Sequence, residues 1–323
     1  MNHNLYRKEN ILHRCERNPI ITPQNIGLPY PVDAVFNCGQ TTYQGRTLLL
    51  LPVAPAHGNG KPAMYVATSE NGVDFEVEPE PFITSLNGLE PDLKLFDEWP
   101  IDPRVTQIGE WYYIIRPIQP RIGTACIMER TRDWKKREYL GCVALPCNRV
   151  PCLFPETFNG LYCRIDRPYS SRGGELWIAY SPDLLHWGNY KQLVAAPVNN
   201  IWAKEKIGPT VPQKTSRGWL EIFHGVNTYA GGSRYCLGAL LLDLENPERV
   251  LGMTDGWILS PDTEYEFMGN CQNTVFATGC IVDEEKDLVR VYYGAADTTI
   301  ALASGSLTEL LDACTLQIDQ GSR

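Results

Sequence analysis

In the segment Trp99-Pro100-Ile101-Asp102-Pro103-Arg104-Val105-Thr106 an acid and a base flank a proline, and the apolar run Trp111-Tyr112-Tyr113-Ile114-Ile115 follows. Proline fixes its own φ and moves the residue before it away from helical geometry, so the Asp102 carboxylate sits on a defined bend. A carboxylate held in that way can protonate a leaving group or activate a nucleophile. The plainer reading of the same residues is a turn whose aspartate bonds to nearby backbone. Basic side chains stand in comparable settings. Arg149 lies in Asn148-Arg149-Val150-Pro151-Cys152-Leu153-Phe154-Pro155-Glu156, and Arg167 comes just before Pro168. Lys206 precedes Ile207-Gly208-Pro209, and His224 stands where Trp219-Leu220-Glu221-Ile222-Phe223 runs out. Taken singly, these read as salt bridges, capped turns or a core histidine. Gathered into one pocket they would make a phosphate site, because guanidinium forks match phosphate oxygens while lysine and histidine add charge and donors. No P-loop or dinucleotide fingerprint offers another route to phosphate. Asn37, in Val35-Phe36-Asn37-Cys38-Gly39, carries a donor and an acceptor suited to a pair of sugar hydroxyls, although a turn asparagine is the plainer role.

Residues this far apart share a site only if the elements between them converge. The 323 residues are 43% hydrophobic and 21% charged, which describes a globular protein with material for a large core. A formal charge of −9 argues against nucleic acid or an anionic membrane as a partner. The 11 cysteines show no repeating spacing and the five histidines form no ligand cluster beside them, so no metal site is expected. The opening residues Met1-Asn2-His3-Asn4-Leu5-Tyr6-Arg7-Lys8-Glu9 have no signal-peptide core, and no window reaches transmembrane length. A cytoplasmic, reducing location with mostly buried thiols is the expectation.

Short apolar runs broken by Gly, Pro, Asn and Asp predict strands at 47–53, 63–67, 112–115, 176–180, 219–223 and 289–293. The clearest helix is predicted at 306–314. A layout of apolar strand, polar turn and acid recurs, with turn acids Asp74, Asp133, Asp183 and, more weakly, Asp243 and Asp297, about 50 to 60 residues apart. That period fits a blade of four short strands. The chain is therefore read as all-β, one five-bladed β-propeller over 1–323 with short N-terminal and C-terminal extensions; a β-sandwich with accidental similarity is the alternative. In a propeller, the inner strands and one rim converge on a central funnel, where polar motifs between the repeats would meet.

The ordered set of Asn18-Pro19-Ile20-Ile21, Val35-Phe36-Asn37, Asp102-Pro103-Arg104-Val105-Thr106, Leu153-Phe154-Pro155-Glu156, Arg167-Pro168, Lys206-Ile207-Gly208, Gly218-Trp219-Leu220, His224-Gly225-Val226, Leu240-Leu241-Leu242-Asp243-Leu244 and Tyr292-Tyr293-Gly294-Ala295-Ala296-Asp297 resembles the inverting β-mannoside phosphorylases and related β-mannosidases of glycoside hydrolase family 130. The resemblance runs from residue 18 to residue 298 and implies a five-bladed propeller. It implies that Asp102 is the sole catalytic carboxylate and that Arg149, Arg167, Lys206 and His224 hold phosphate. Asn37, Arg104 and Asp297 are expected at the sugar. The chain departs from the family pattern at Val150-Pro151-Cys152, where an acidic residue is common, and at Asp166, where histidine is frequent.

By this resemblance, Asp102 sends a proton to the glycosidic oxygen through a mannosyl hydroxyl, and phosphate attacks the opposite face to give α-mannose 1-phosphate. One carboxylate suffices because phosphate is the nucleophile, whereas an inverting hydrolase needs a second to activate water. The expected partners are an oligosaccharide and inorganic phosphate as co-substrate, with no cofactor; self-association is left open. Two competing readings share the scaffold. A hydrolase would use Glu156, Asp166 or Asp92 as base. A non-catalytic glycan-binding propeller would use Trp99, Trp111, Tyr112 and rim loops.

Overall fold

A computed structural model describes residues 10–84, 99–118, 123–170, 173–198 and 201–316; Asp92 lies outside the described residues. Its strands form five sheets arranged as the blades of a five-bladed β-propeller. From the inner strand outward, the first blade is Val32–Val35, Arg46–Pro55, Ala63–Ser69 and Glu76–Val77. The second is Arg104–Ile108, Trp111–Ile118, Ala125–Thr131 and Glu138–Ala144. The third is Cys152–Phe158, Leu161–Asp166, Leu176–Ser181 and Gly188–Val194. The fourth is Lys206–Gly208, Gly218–Tyr229, Gly232–Leu242 and Val250–Met253. The fifth takes Val275–Ala277, Leu288–Ala295 and Thr299–Ser306 from the end of the chain and His13–Arg14 from its beginning. His13 pairs with Ser304 and Arg14 with Ala303, which closes the ring.

The apolar runs follow from a core that lies between blades. Leu48 and Leu50 pack on Val105, Tyr112 and Ile114 of the second blade, while Leu49 and Leu51 pack on Tyr292, Ile300 and Leu302 of the fifth. Tyr113 and Ile115 turn the other way, onto Val150 and Leu153 of the third blade. Successive side chains of a strand point to opposite faces, so a strand covered on both faces reads as a continuous apolar run.

The predicted helix is Leu307–Asp312, started by Ser306, whose Oγ accepts from the Glu309 amide at 3.1 Å. Four of the repeated acids occupy equivalent turns between the third and fourth strands of their blades. Asp133, Asp183 and Asp243 each accept two backbone N–H groups there. In the first blade Asn71 takes that role and Asp74 pairs with Arg17 instead. The fifth expected copy is out of phase. Asp297 follows the second strand of its blade, not the third, and stands at the opposite end of the sheet, facing the centre.

Candidate active site

A central cavity of about 490 Å³ takes side chains from all five blades and the segments entering them. All eight residues singled out in the sequence line it: Asn37, Asp102, Arg104, Arg149, Arg167, Lys206, His224 and Asp297. Asp102 stands two residues before the inner strand of the second blade, and its backbone has φ of +47°. Aspartate tolerates this left-handed region better than most L residues. Asp297 has φ of +50° in the fifth-blade turn. The Asn37 amide joins them: Nδ2 donates to Asp102 Oδ1 at 2.8 Å and to Asp297 Oδ1 at 3.1 Å. Its Oδ1 lies against Gly294, where a Cβ would stand only 1.9 Å from it. Asn37 thus holds two carboxylates side by side, with both amide hydrogens engaged.

Arg149 Nη2 donates to Asp102 Oδ2 at 2.6 Å, and Arg104 Nη1 donates to the Asp102 backbone carbonyl at 3.0 Å. Burial pushes the Asp102 carboxyl up, but the charges of Arg149 and Arg104 and the bonds from Asn37 and Arg149 outweigh it and hold it below the usual range. Asp102 is therefore an anion. Asp297 goes the other way: burial and the neighbouring Asp102 charge push it up to about 6.

The other basic residues line the same cavity. Arg167 Nε donates to the Arg149 carbonyl at 2.6 Å, and the Arg149 amide donates to the Arg167 carbonyl at 3.2 Å. The Arg167 side chain and carbonyl thereby hold the Arg149 backbone from both sides. Arg167 Nη1 lies 3.4 Å from His224 Nε2. Arginine only donates, so Nε2 accepts and the ring proton belongs on Nδ1. Burial, reinforced by the charges of Arg167, Lys206, Arg104 and Arg149, puts His224 well below the ordinary histidine range, so it is neutral. Gly208 permits its position, since a Cβ there would meet the ring at 2.2 Å.

Lys206 Nζ donates to Tyr235 Oη at 2.9 Å and to Tyr169 Oη at 3.2 Å. Sequence reasoning passed over both tyrosines. Tyr235 becomes a neighbour because Lys206 and Tyr235 flank Val226 on adjacent strands, a register invisible in the linear chain. Tyr169 had a local signal, two residues after Arg167.

The alternative bases fare differently. Glu156 is half exposed, paired with Lys214 at 2.7 Å, and lies outside the cavity wall. Asp166 is wholly buried behind the wall, accepting from Asn148 Nδ2 at 2.9 Å and Arg164 Nε at 3.0 Å. Among the aromatic residues of the glycan-binding reading, Trp99 reaches the cavity, edge-on to Phe36 with ring centroids 5.7 Å apart. Trp111 is stacked against Arg130 and Arg132, and Tyr112 belongs to the core between blades.

The family model described as beta-1,4-mannooligosaccharide phosphorylase matches residues 6–316. The chain belongs to glycoside hydrolase family 130. Within this family it is 32% identical to a protein of Listeria innocua named beta-1,2-mannobiose phosphorylase, over 93% of this chain and 97% of that one. It is 28% identical to the beta-1,4-mannooligosaccharide phosphorylase of Ruminococcus albus, over 94% and 91% respectively. The solved Listeria innocua beta-1,2-mannobiose phosphorylase, in complex with beta-1,2-mannobiose, superposes with a TM-score of 0.83 at 29% identity, covering 94% of this chain and 99% of that one.

Proposed function

We propose that this family 130 protein is an inverting β-mannoside phosphorylase that releases α-mannose 1-phosphate and a shortened sugar. The observation that carries the reading is the meeting of Arg149, Arg167, Lys206 and His224 with a buried aspartate in one cavity. Relatives named as phosphorylases of β-1,2- and β-1,4-mannosides support it. Phosphate sits on the basic wall, Asn37 and Arg104 hold Asp102 in place, and Asp297 faces the mannosyl unit. A phosphate oxygen attacks the anomeric carbon as the glycosidic C–O bond breaks on the other face. The leaving oxygen takes a proton that originates on Asp102 and is relayed by a mannosyl hydroxyl. The proton shed by phosphate on forming its ester restores the balance.

The hydrolase reading loses two of its proposed bases, because Glu156 is outside the cavity and both Asp166 oxygens are engaged behind it. No cofactor or metal is assigned a role; inorganic phosphate is the co-substrate. The propeller is taken as one catalytic domain acting in the cytoplasm. The test is incubation with β-1,2- or β-1,4-mannobiose with and without phosphate. Phosphate-dependent mannose 1-phosphate is the expected product, and free mannose released at the same rate without phosphate would overturn the reading.

A further inference from the structure

We propose that Arg149 is shared between Asp102 and the incoming phosphate, and that phosphate arms Asp102 as an acid by drawing the guanidinium off its carboxylate. The inference rests on the phosphorylase reading and adds an order of events to it.

A general acid must carry a proton before it can give one. Asp102 is held as an anion by a contact with Arg149 that is short and charge-assisted. Arg149 is also one of the residues assigned to phosphate, and the two tasks compete for one guanidinium. The geometry allows an exchange. The backbone of Arg149 is fixed on both sides by Arg167, while its side chain is 28% exposed at the cavity wall. Its head can therefore swing without moving the loop. Arg104 cannot replace it, because Arg104 Nη1 is directed at the Asp102 backbone carbonyl and not at the carboxylate.

Consider what faces Asp102 once Arg149 has turned to phosphate. Asn37 still donates to Oδ1. Asp297, on the turn after Leu288–Ala295, is bridged to it by the same amide. Arg104 remains as a positive charge from the second blade, and Arg167, Lys206 and His224 line the same cavity. The loss of Arg149, the nearby negative phosphate and the burial of the carboxyl all favour its protonated form. Binding and protonation are then linked: phosphate brings a proton onto Asp102, and a protonated Asp102 releases Arg149 to phosphate.

Calorimetric titration with inorganic phosphate near pH 6, in two buffers of different ionisation enthalpy, counts the protons taken up. The wild-type protein should take up close to one proton per phosphate more than Asp102→Asn does; the proton change of phosphate itself is common to both. Asp297 titrates in the same range, so the comparison is repeated in an Asp297→Asn background, where the excess should persist; His224→Gln should retain it as well. Equal uptake by wild type and Asp102→Asn would overturn the proposal and place the proton elsewhere.

A second measurement needs no variant. The alkaline limb of the wild-type pH–rate profile should lie at higher pH with saturating phosphate than with limiting phosphate, by about one unit for each tenfold change in Asp102 proton affinity. A limb that does not move also overturns the proposal. Both failures leave phosphorolysis itself intact, whereas mannose release that ignores phosphate would strike the function instead.

Discussion

Two buried carboxylates of this molecule are bonded in nearly the same way and shifted in opposite directions. Asp102 accepts from Asn37 and Arg149, while Asp166 accepts from Asn148 and Arg164. The first pair lines the cavity, with its arginine 28% exposed; in the second, both partners are 1% exposed. Burial wins at Asp166, whose carboxyl is raised despite the charge and bond of Arg164 and the bond from Asn148. At Asp102 a second arginine, Arg104, adds its field, and the carboxyl falls instead. At Asp166 the charge of Arg164 does not offset burial, whereas at Asp102 the charges of Arg149 and Arg104 do. Asp166 also fixes Asn148, whose Oδ1 accepts from the Arg167 amide at 3.1 Å, so the buried pair supports the wall that the open pair works against.

The largest effect that would break this comparison is kinetic. Asp102→Asn should lower turnover on mannobiose by about 10²–10⁴-fold, the usual worth of a general acid, while the melting temperature stays near wild type. If Asp166→Asn gave the same kinetic loss at unchanged stability, the division of roles would be wrong. Asp166→Ala should instead cost about 3–5 kcal/mol of stability in a urea melt, because it strands Arg164 as a buried unpaired charge. The folded fraction should keep most of its activity.

Arg167→Ala comes next, raising the phosphate KM about ten- to a hundredfold with little change in the mannoside KM, as expected for losing roughly 1.5–3 kcal/mol from a charged hydrogen bond. Arg167→Lys should recover part of it, since a point charge cannot reproduce the fork.

The smallest effect lies in pH. The Asp297 carboxyl is raised from 3.8 to about 6 in the folded protein, so its contribution to stability is fully present below about pH 4 and is lost as pH rises through about 6. Asp297→Asn removes that loss, and its melting temperature should decline less than that of wild type over this interval. An identical decline in the two proteins would mean that Asp297 is not the group responsible.

Much of this was legible in the chain because the signals were local. Strands covered on both faces leave unbroken apolar runs such as Thr47–Val53, and an aspartate that caps its own turn, as at Asp183, needs only the next three residues. Asp297 shows where local pattern stops. Tyr292-Tyr293-Gly294-Ala295-Ala296-Asp297 has the same apolar-then-acid layout as the other repeats, but it belongs to a second strand, and layout carries no record of position within a blade. The motifs around Arg149 and Arg167 suggested a phosphate role for them, yet could not show that each holds the other's backbone. Nor could Lys206-Ile207-Gly208 reveal that the glycine makes room for a histidine on the neighbouring strand.

The strand His13–Arg14 closes the fifth blade, and this has a consequence for assembly. Asn37 and Asp297 touch although 260 positions separate them, on either side of that seam. Contacts this distant in sequence carry a large loop-closure entropy and form late, after the local hairpins that bring them within reach. During synthesis the first four blades can pair their strands before the last one exists. Asn37 cannot join its two carboxylates until the final strands have docked and the opening strand has latched onto them. The bonded pair Asn37–Asp297 therefore cannot exist in a partly made chain, and the first and fifth blades jointly determine when the cavity becomes whole.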